Sequence, residues 1–182
     1  MDVGVVVNNV QTTLAISRAV YQGQPLMDRP ISISGRGIAN PANLTVPVGT
    51  RLKDIIQYCG GIINDDCVLI MGGALTGFKT NNLETPISKT HFGLLVLSAE
   101  EYHQYESRVC IRCAKCVDAC PVYITPNRIT DFINQDFIEE AKKLSLESCI
   151  ECGACAYVCP AKRPLLRWLK KGKVALKNLS NS

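Results

Sequence analysis

Residues 110–121 read C-I-R-C-A-K-C-V-D-A-C-P, and residues 149–160 read C-I-E-C-G-A-C-A-Y-V-C-P. Both are the run C-x-x-C-x-x-C-x-x-x-C-P, the bacterial pattern for [4Fe–4S] ligation. Three thiols at such short spacing wrap a loop round one cluster and leave one iron to a distant thiolate. In two-cluster proteins the fourth cysteine of each run ligates the other cluster. On that reading Cys110, Cys113, Cys116 and Cys159 hold one cluster, and Cys149, Cys152, Cys155 and Cys120 hold the second. The chemistry implied is electron carriage, in which no side chain need act as acid, base or nucleophile.

Competing uses of these cysteines fit less well. Structural zinc sites offer separated C-x-x-C pairs, not three consecutive cysteines followed by a C-P. A disulfide framework needs an oxidising compartment, yet Asp2 precedes the first apolar stretch and no basic leader region is present. The chain has 182 residues, enough for one ordinary domain or two small ones. Its two remaining cysteines, Cys59 and Cys67, fall on an apolar helical stripe and at the mouth of an apolar strand, as small core residues do. A net charge of +4 gives no argument for nucleic acid. The longest apolar runs, Val3 to Val7 and Leu94 to Leu97, are too short to span a bilayer.

Outward from the cysteine runs, the chain reads as three segments in an α+β arrangement. In residues 1–29 the pattern predicts a buried strand over Val3 to Val7 and a helix from Thr12 to Gln22, capped by Gly23. One strand and one helix cannot bury a core, so this piece is expected to end a larger α/β domain or to pack as an appendage. Residues 30–99 predict strands at Ile31 to Ser34, Leu44 to Val46, Val68 to Met71 and Gly93 to Leu97. Between them lies a helix capped by Thr50, with Leu52, Ile55, Ile56 and Cys59 on one face and Gly60–Gly61 at its end. In residues 100–182 the stretch Thr125 to Leu144 carries Ile129, Phe132, Ile133, Phe137, Ile138 and Ala141 near a helical period, with Pro126 in the first turn. Pro164 opens a further helix, so a mainly helical two-cluster module is expected.

The order of parts resembles a known family. Ile33-Ser34-Gly35, Asn40-Pro41, Val48-Gly49-Thr50, Asp54-Ile55-Ile56 and Gly60-Gly61 are similar to the soluble ligand-binding β-grasp (SLBB) domain. Met71-Gly72-Gly73-Ala74-Leu75-Thr76-Gly77, then Pro86 to Lys89 and Gly93 to Leu97, resemble the end of that domain in the C subunit of the Rnf electron-transport complex. In that family the domain leads into two cysteine runs of the kind at 110–121 and 149–160. Val7-Asn8-Asn9-Val10-Gln11-Thr12 resembles the N-N-V-E-T loop of the family's flavin-binding fold, with Gln11 in place of Glu. This makes Asn8, Asn9 and Thr12 candidate contacts at the edge of an FMN pocket.

The resemblance implies an electron-transfer subunit, or a portion of one, in a membrane-associated ferredoxin:NAD+ oxidoreductase, peripheral on the cytoplasmic face of the membrane. Its implied partners are the other subunits and ferredoxin. The phosphate-cradling glycine loop of the family is not in this sequence, so FMN and NAD are expected only with an upstream domain, and the chain is not expected to be catalytic alone. Alternative settings are a stand-alone dicluster adapter or part of a cobalamin-reductase-type flavoprotein. Gly153 stands where Ala114 stands in the first run, an asymmetry expected to separate two cluster potentials. After Glu151 the chain has only basic charges, interleaved with Leu165, Leu166, Trp168, Leu169, Val174 and Leu176. Such a helix can cover the cluster segment, dock an acidic protein or meet anionic lipid heads.

Overall fold

A computed structural model describes residues 4–103 and 105–180, which form two compact units. The first contains the chain up to Gly72 together with Lys79–Glu101; the second contains Gly73–Phe78 and the chain from Tyr102 onward.

The first unit opens with α1 (Val10–Gln22). Asn9 caps it, its Oδ1 accepting the Gln11 backbone N–H at 2.9 Å, and Gly23 ends it at φ 64°, its N–H returning to the Arg18 carbonyl. None of its residues is buried. The strand expected over Val3 to Val7 does not form among the described residues: Gly4 to Val7 are irregular and exposed, and Val3 lies outside them. An apolar run becomes a strand only where a neighbour supplies ladder partners and a covering face, and the described chain offers this run neither.

The sheet consists of β1 (Asp28–Ser34), β2 (Ala42–Pro47), β3 (Val68–Met71), β4 (Phe78–Thr80) and β5 (Gly93–Leu97), in the order β2-β1-β5-β3-β4. β1 runs antiparallel to β2 and parallel to β5, and β3 runs antiparallel to β5. Strict alternation along β1 buries Ile31 and Ile33 on the same core as Leu94 and Val96 of β5. α2 (Leu52–Tyr58) closes that core with Leu52, Ile55 and Ile56, joined by Cys59, while Cys67 packs against its margin. The helix starts one residue later than the sequence suggests. The Thr50 hydroxyl donates to the Pro47 carbonyl at 2.8 Å, and Arg51 occupies the N-cap position without a side-chain bond. β4 escapes pattern reading because it is three residues long, with Phe78 and Lys79 both exposed.

The second unit is helical: α3 (Lys115–Asp118), α4 (Pro126–Asn134), α5 (Ile138–Lys143), a 3-10 turn at Leu146–Ser148, α6 (Ala154–Tyr157) and α7 (Leu165–Ser180). The single helix expected over Thr125 to Leu144 is two. The chain turns at Asp136, whose φ of 60° is left-handed and cannot continue a helix. Ile129, Ile133, Ala141, Leu146, Leu165 and Leu169 form a core that merges with the cysteines. Gly172 lets α7 lie close to α4, since a Cβ there would stand 2.4 Å from Ile133 Cδ1. Among the described residues no helix is long and apolar enough to cross a membrane.

The two cysteine runs fold alike. The short helices α3 and α6 occupy the same place after the first cysteine of each run, and α4 and α7 start at matching positions. Three left-handed residues also correspond: Arg112 with Glu151, Ala114 with Gly153, and Tyr123 with Lys162. Left-handed backbone is rare outside glycine. Its recurrence at three matched places marks the two runs as copies of one loop shape.

Candidate metal centres

Each run turns its first three cysteines into a hollow, and each hollow is completed by a cysteine of the other run. One is lined by Cys110, Cys113, Cys116 and Cys159, the other by Cys149, Cys152, Cys155 and Cys120. The spaces are closely matched, about 340 and 310 Å³ with the adjoining solvent included. The walls are apolar: Ala161 and Leu165 contribute to the first, Val122, Ile124 and Leu169 to the second. Among the described residues no three Cys, His, Asp or Glu side chains gather as a single metal ion requires. Thiols spread round a hollow suit a multi-iron cluster, whereas zinc draws its ligands to one point at about 2.3 Å.

Burial pushes the Cys116 and Cys149 thiols up from their usual range and Cys155 to about 11. Partly countering this, the backbone N–H groups of Asn127, Glu151 and Ala156 donate to the sulfurs of Cys116, Cys149 and Cys155 respectively. A bound iron cluster would hold such thiols as thiolates despite their burial. Cys116 and Cys155, from different hollows, are close enough for charge on the first to disfavour charge on the second. The two sites are therefore neighbours.

A basic side chain lines the first hollow and another bonds the loop of the second, and the basic tail as a sequence points to neither. Arg163 is 8% exposed, donates from Nη2 to Asp131 at 2.7 Å, lies over the Trp168 ring and hydrogen-bonds Cys110. Its buried Nη1 has no partner among the described residues. A leftover donor beside four thiols is what cluster sulfur would accept. At the second hollow Lys173 donates to the Cys149 carbonyl at 2.9 Å and pairs with Glu151 at 2.9 Å. Both residues belong to the basic C-terminal stretch, whose helix covers the cluster unit: Leu165, Leu169 and Leu176 are buried. Only the tertiary fold reveals that two of its cations turn inward.

Gly153 has a packing role that its sequence context leaves open. It caps α6 at φ 81°, and a Cβ there would lie 2.7 Å from the Leu75 carbonyl oxygen. Ala114 holds the matching left-handed place in the first run. Asn8, Asn9 and Thr12 are exposed at the start of α1, Asn9 serving as its cap. The cavity under that helix is lined instead by Gln11, Leu14, Ala15 and Arg18 together with residues 24–30. His91 is partly buried, its Nδ1 accepting the Ser88 backbone N–H at 3.0 Å.

Comparison with known proteins finds two domain families and a set of relatives. Residues 103–160 match the 4Fe-4S dicluster domain and residues 30–79 match the SLBB domain. The C subunit of a proton-translocating ferredoxin:NAD(+) oxidoreductase complex from Clostridium ljungdahlii is 41% identical over 142 residues, 78% of this chain and 31% of the relative. The chain belongs to the C-subunit family of ion-translocating Rnf oxidoreductases. The C subunit of an ion-translocating oxidoreductase complex from Methanosarcina acetivorans is 34% identical over 180 residues, 99% of this chain and 40% of the relative. Cobalamin reductase PduS of Citrobacter freundii is 36% identical over 179 residues, 88% of this chain and 40% of that protein. The chain thus spans about a third of the length of its Rnf relatives. It carries a dicluster domain with sites for two [4Fe–4S] clusters.

Proposed function

We propose that the two hollows are the ligand sets, Cys110, Cys113, Cys116 and Cys159 for one cluster and Cys149, Cys152, Cys155 and Cys120 for the other. The observation that carries this is the lining itself, three thiols from one run and the fourth from its twin in each case. Bound there, the clusters supply reversible one-electron transfer. The residues of the chain fix the spacing of the sites, exclude water with apolar walls, and set the local charge through Arg163, Lys173 and the inward N–H groups.

In this reading the chain relays electrons within a membrane-associated ferredoxin:NAD+ oxidoreductase. It lies on the cytoplasmic face beside other subunits and exchanges electrons with ferredoxin. Residues 1–29 are the end of a flavin-binding α/β domain, 30–99 the β-grasp domain and 100–182 the cluster domain. FMN and NAD are handled by parts of the full-length protein outside this chain, with Asn8, Asn9 and Thr12 at the edge of the flavin site. The absence of any buried residue in α1 supports a further covering layer. A cobalamin-reductase setting is the second reading, favoured by the similarity to PduS over nearly the whole chain.

The ligand sets are tested by single Cys→Ala variants of the anaerobically reconstituted chain. Cys152→Ala and Cys120→Ala should each halve iron and sulfide and remove the same electron-paramagnetic signal, while Cys159→Ala removes the other. If Cys120→Ala removes the signal that Cys113→Ala removes, the sets are uncrossed. Fractionation of host cells tests the setting: an immunoreactive band only in soluble fractions would exclude the membrane complex.

A further inference from the structure

The duplication of the cysteine runs makes their differences informative, and the strongest difference is charge. Arg108 and Arg112 of the first run correspond to Glu147 and Glu151 of the second, while Arg128 corresponds to Arg167. Arg108, Arg112 and Arg128 are exposed, form no ion pair among the described residues, and line one groove with Arg163 and Asp131. Asp131 is the only carboxylate in that lining and is engaged by Arg163 at 2.7 Å. The groove shares Cys110, Asn127 and Arg163 with the first thiol hollow. That hollow is also the more open of the two: Cys113 is exposed, whereas three of the four thiols of the second are buried and Cys152 is half-buried. Val109 and Ile111, either side of Cys110, are 87% and 68% exposed.

We infer that this arginine groove is the docking face for a small acidic electron-transfer protein, and that electrons pass between that partner and this chain at the Cys110 end. The inference deepens the proposed relay by choosing which of its two ends meets a soluble carrier. Apolar residues beside the redox centre with unpaired cations around them are the pattern of a specific, electrostatically steered interface, in which Arg is favoured over Lys. The matched place in the second run offers Glu151 paired with Lys173 and an additional Glu147, which would repel the same partner. The basic helix α7 is the rival face, but Lys173 is turned to Cys149 and Glu151, and Lys170 donates to the Thr76 carbonyl at 3.3 Å.

The test is stopped-flow reduction of the reconstituted chain by photoreduced plant-type [2Fe–2S] ferredoxin, with reduced methyl viologen as a small cationic control. Arg108→Glu with Arg112→Glu copies the residues of the second run, where Glu151 already adopts the left-handed backbone required of Arg112, so the fold tolerates the change. Unchanged iron and sulfide content verifies that. The double variant should react with ferredoxin at least tenfold more slowly at low salt, with a flatter dependence on ionic strength. Its reduction by methyl viologen should be no slower, and Lys170→Glu with Lys171→Glu should leave the ferredoxin rate within twofold. Equal ferredoxin rates for wild type and the arginine variant overturn the groove while leaving the relay intact. A wild-type chain that methyl viologen reduces and ferredoxin does not overturns the ferredoxin reading and the groove together. If the arginine variant loses only its binding to phosphatidylglycerol vesicles, the face belongs to a membrane and the inference fails.

Discussion

Replacing Gly153 with alanine tests whether the second cysteine loop is held by close backbone packing. Two costs follow from the structure. At φ 81° an L side chain sits in the left-handed region, about 1–2 kcal/mol above its preferred backbone. The new Cβ also meets the Leu75 carbonyl oxygen at 2.7 Å and its carbon at 3.3 Å. Backbone cannot swing aside as a side-chain tip can, and such overpacking costs about 1–3 kcal/mol. Together the loop should lose about 2–5 kcal/mol of local stability. The Ala156 and Tyr157 amides donate to the Gly153 carbonyl, so they report the opening of this loop. At about 1.4 kcal/mol per factor of ten, their hydrogen exchange should accelerate by roughly 30-fold to several thousand-fold. Mass-resolved exchange on the reconstituted chain reads this directly. Ala114→Gly, at the matching place, relieves rather than adds strain and should change exchange at Val117 and Asp118 by no more than about fivefold. Protection of Ala156 and Tyr157 unaffected by Gly153→Ala would refute the packing argument, and any shift in cluster potential would then need another cause.

Two further outcomes concern the β-grasp unit. Leu52 is fully buried between α2 and the sheet, so Leu52→Ala should cost about 2–5 kcal/mol. The urea midpoint of that unit, followed by far-ultraviolet circular dichroism, should fall by about 1–3 M. Burial lowers the His91 pKa from its usual value near 6.5, favouring the neutral ring in the folded state. The unfolded chain then binds more protons just below pH 6.5, so the contribution is intact above that pH and is lost as pH falls toward the folded pKa. A plot of urea midpoint against pH should rise with pH there for wild type and flatten in His91→Asn.

Local pattern carried much of this molecule. The alternation along Ile31 and Ile33, the continuous apolar run at β3 and the 3.6-residue stripe through Leu52, Ile55 and Ile56 each encode a period that burial then uses. The cysteine runs were legible for a different reason: their spacing is dictated by the object they enclose. What failed was context. Val3 to Val7 has strand composition but no strand beside Gly4 to Val7, and Asp136 breaks a helical period because its backbone, not its polarity, is left-handed. The inward course of Arg163 and Lys173 could not be read from a basic tail, since it depends on where α7 lies against the cysteine loops. One clue was present and is easily overlooked: aligning the two runs sets Arg108 and Arg112 against Glu147 and Glu151.

Each thiol hollow takes three members from one run and one from the other, and the flanking helices repeat in step. A peptide holding a single run could complete a four-thiol set only by meeting a second copy of itself. The helical unit therefore has the design of a symmetric homodimer made continuous by tandem duplication. Fusion frees the halves to diverge. Identical halves would have had to carry the same charge at both ends of an electron path, whereas this chain carries arginine at one end and glutamate at the other. Polarity in the relay is thus a property that only the joined form can acquire.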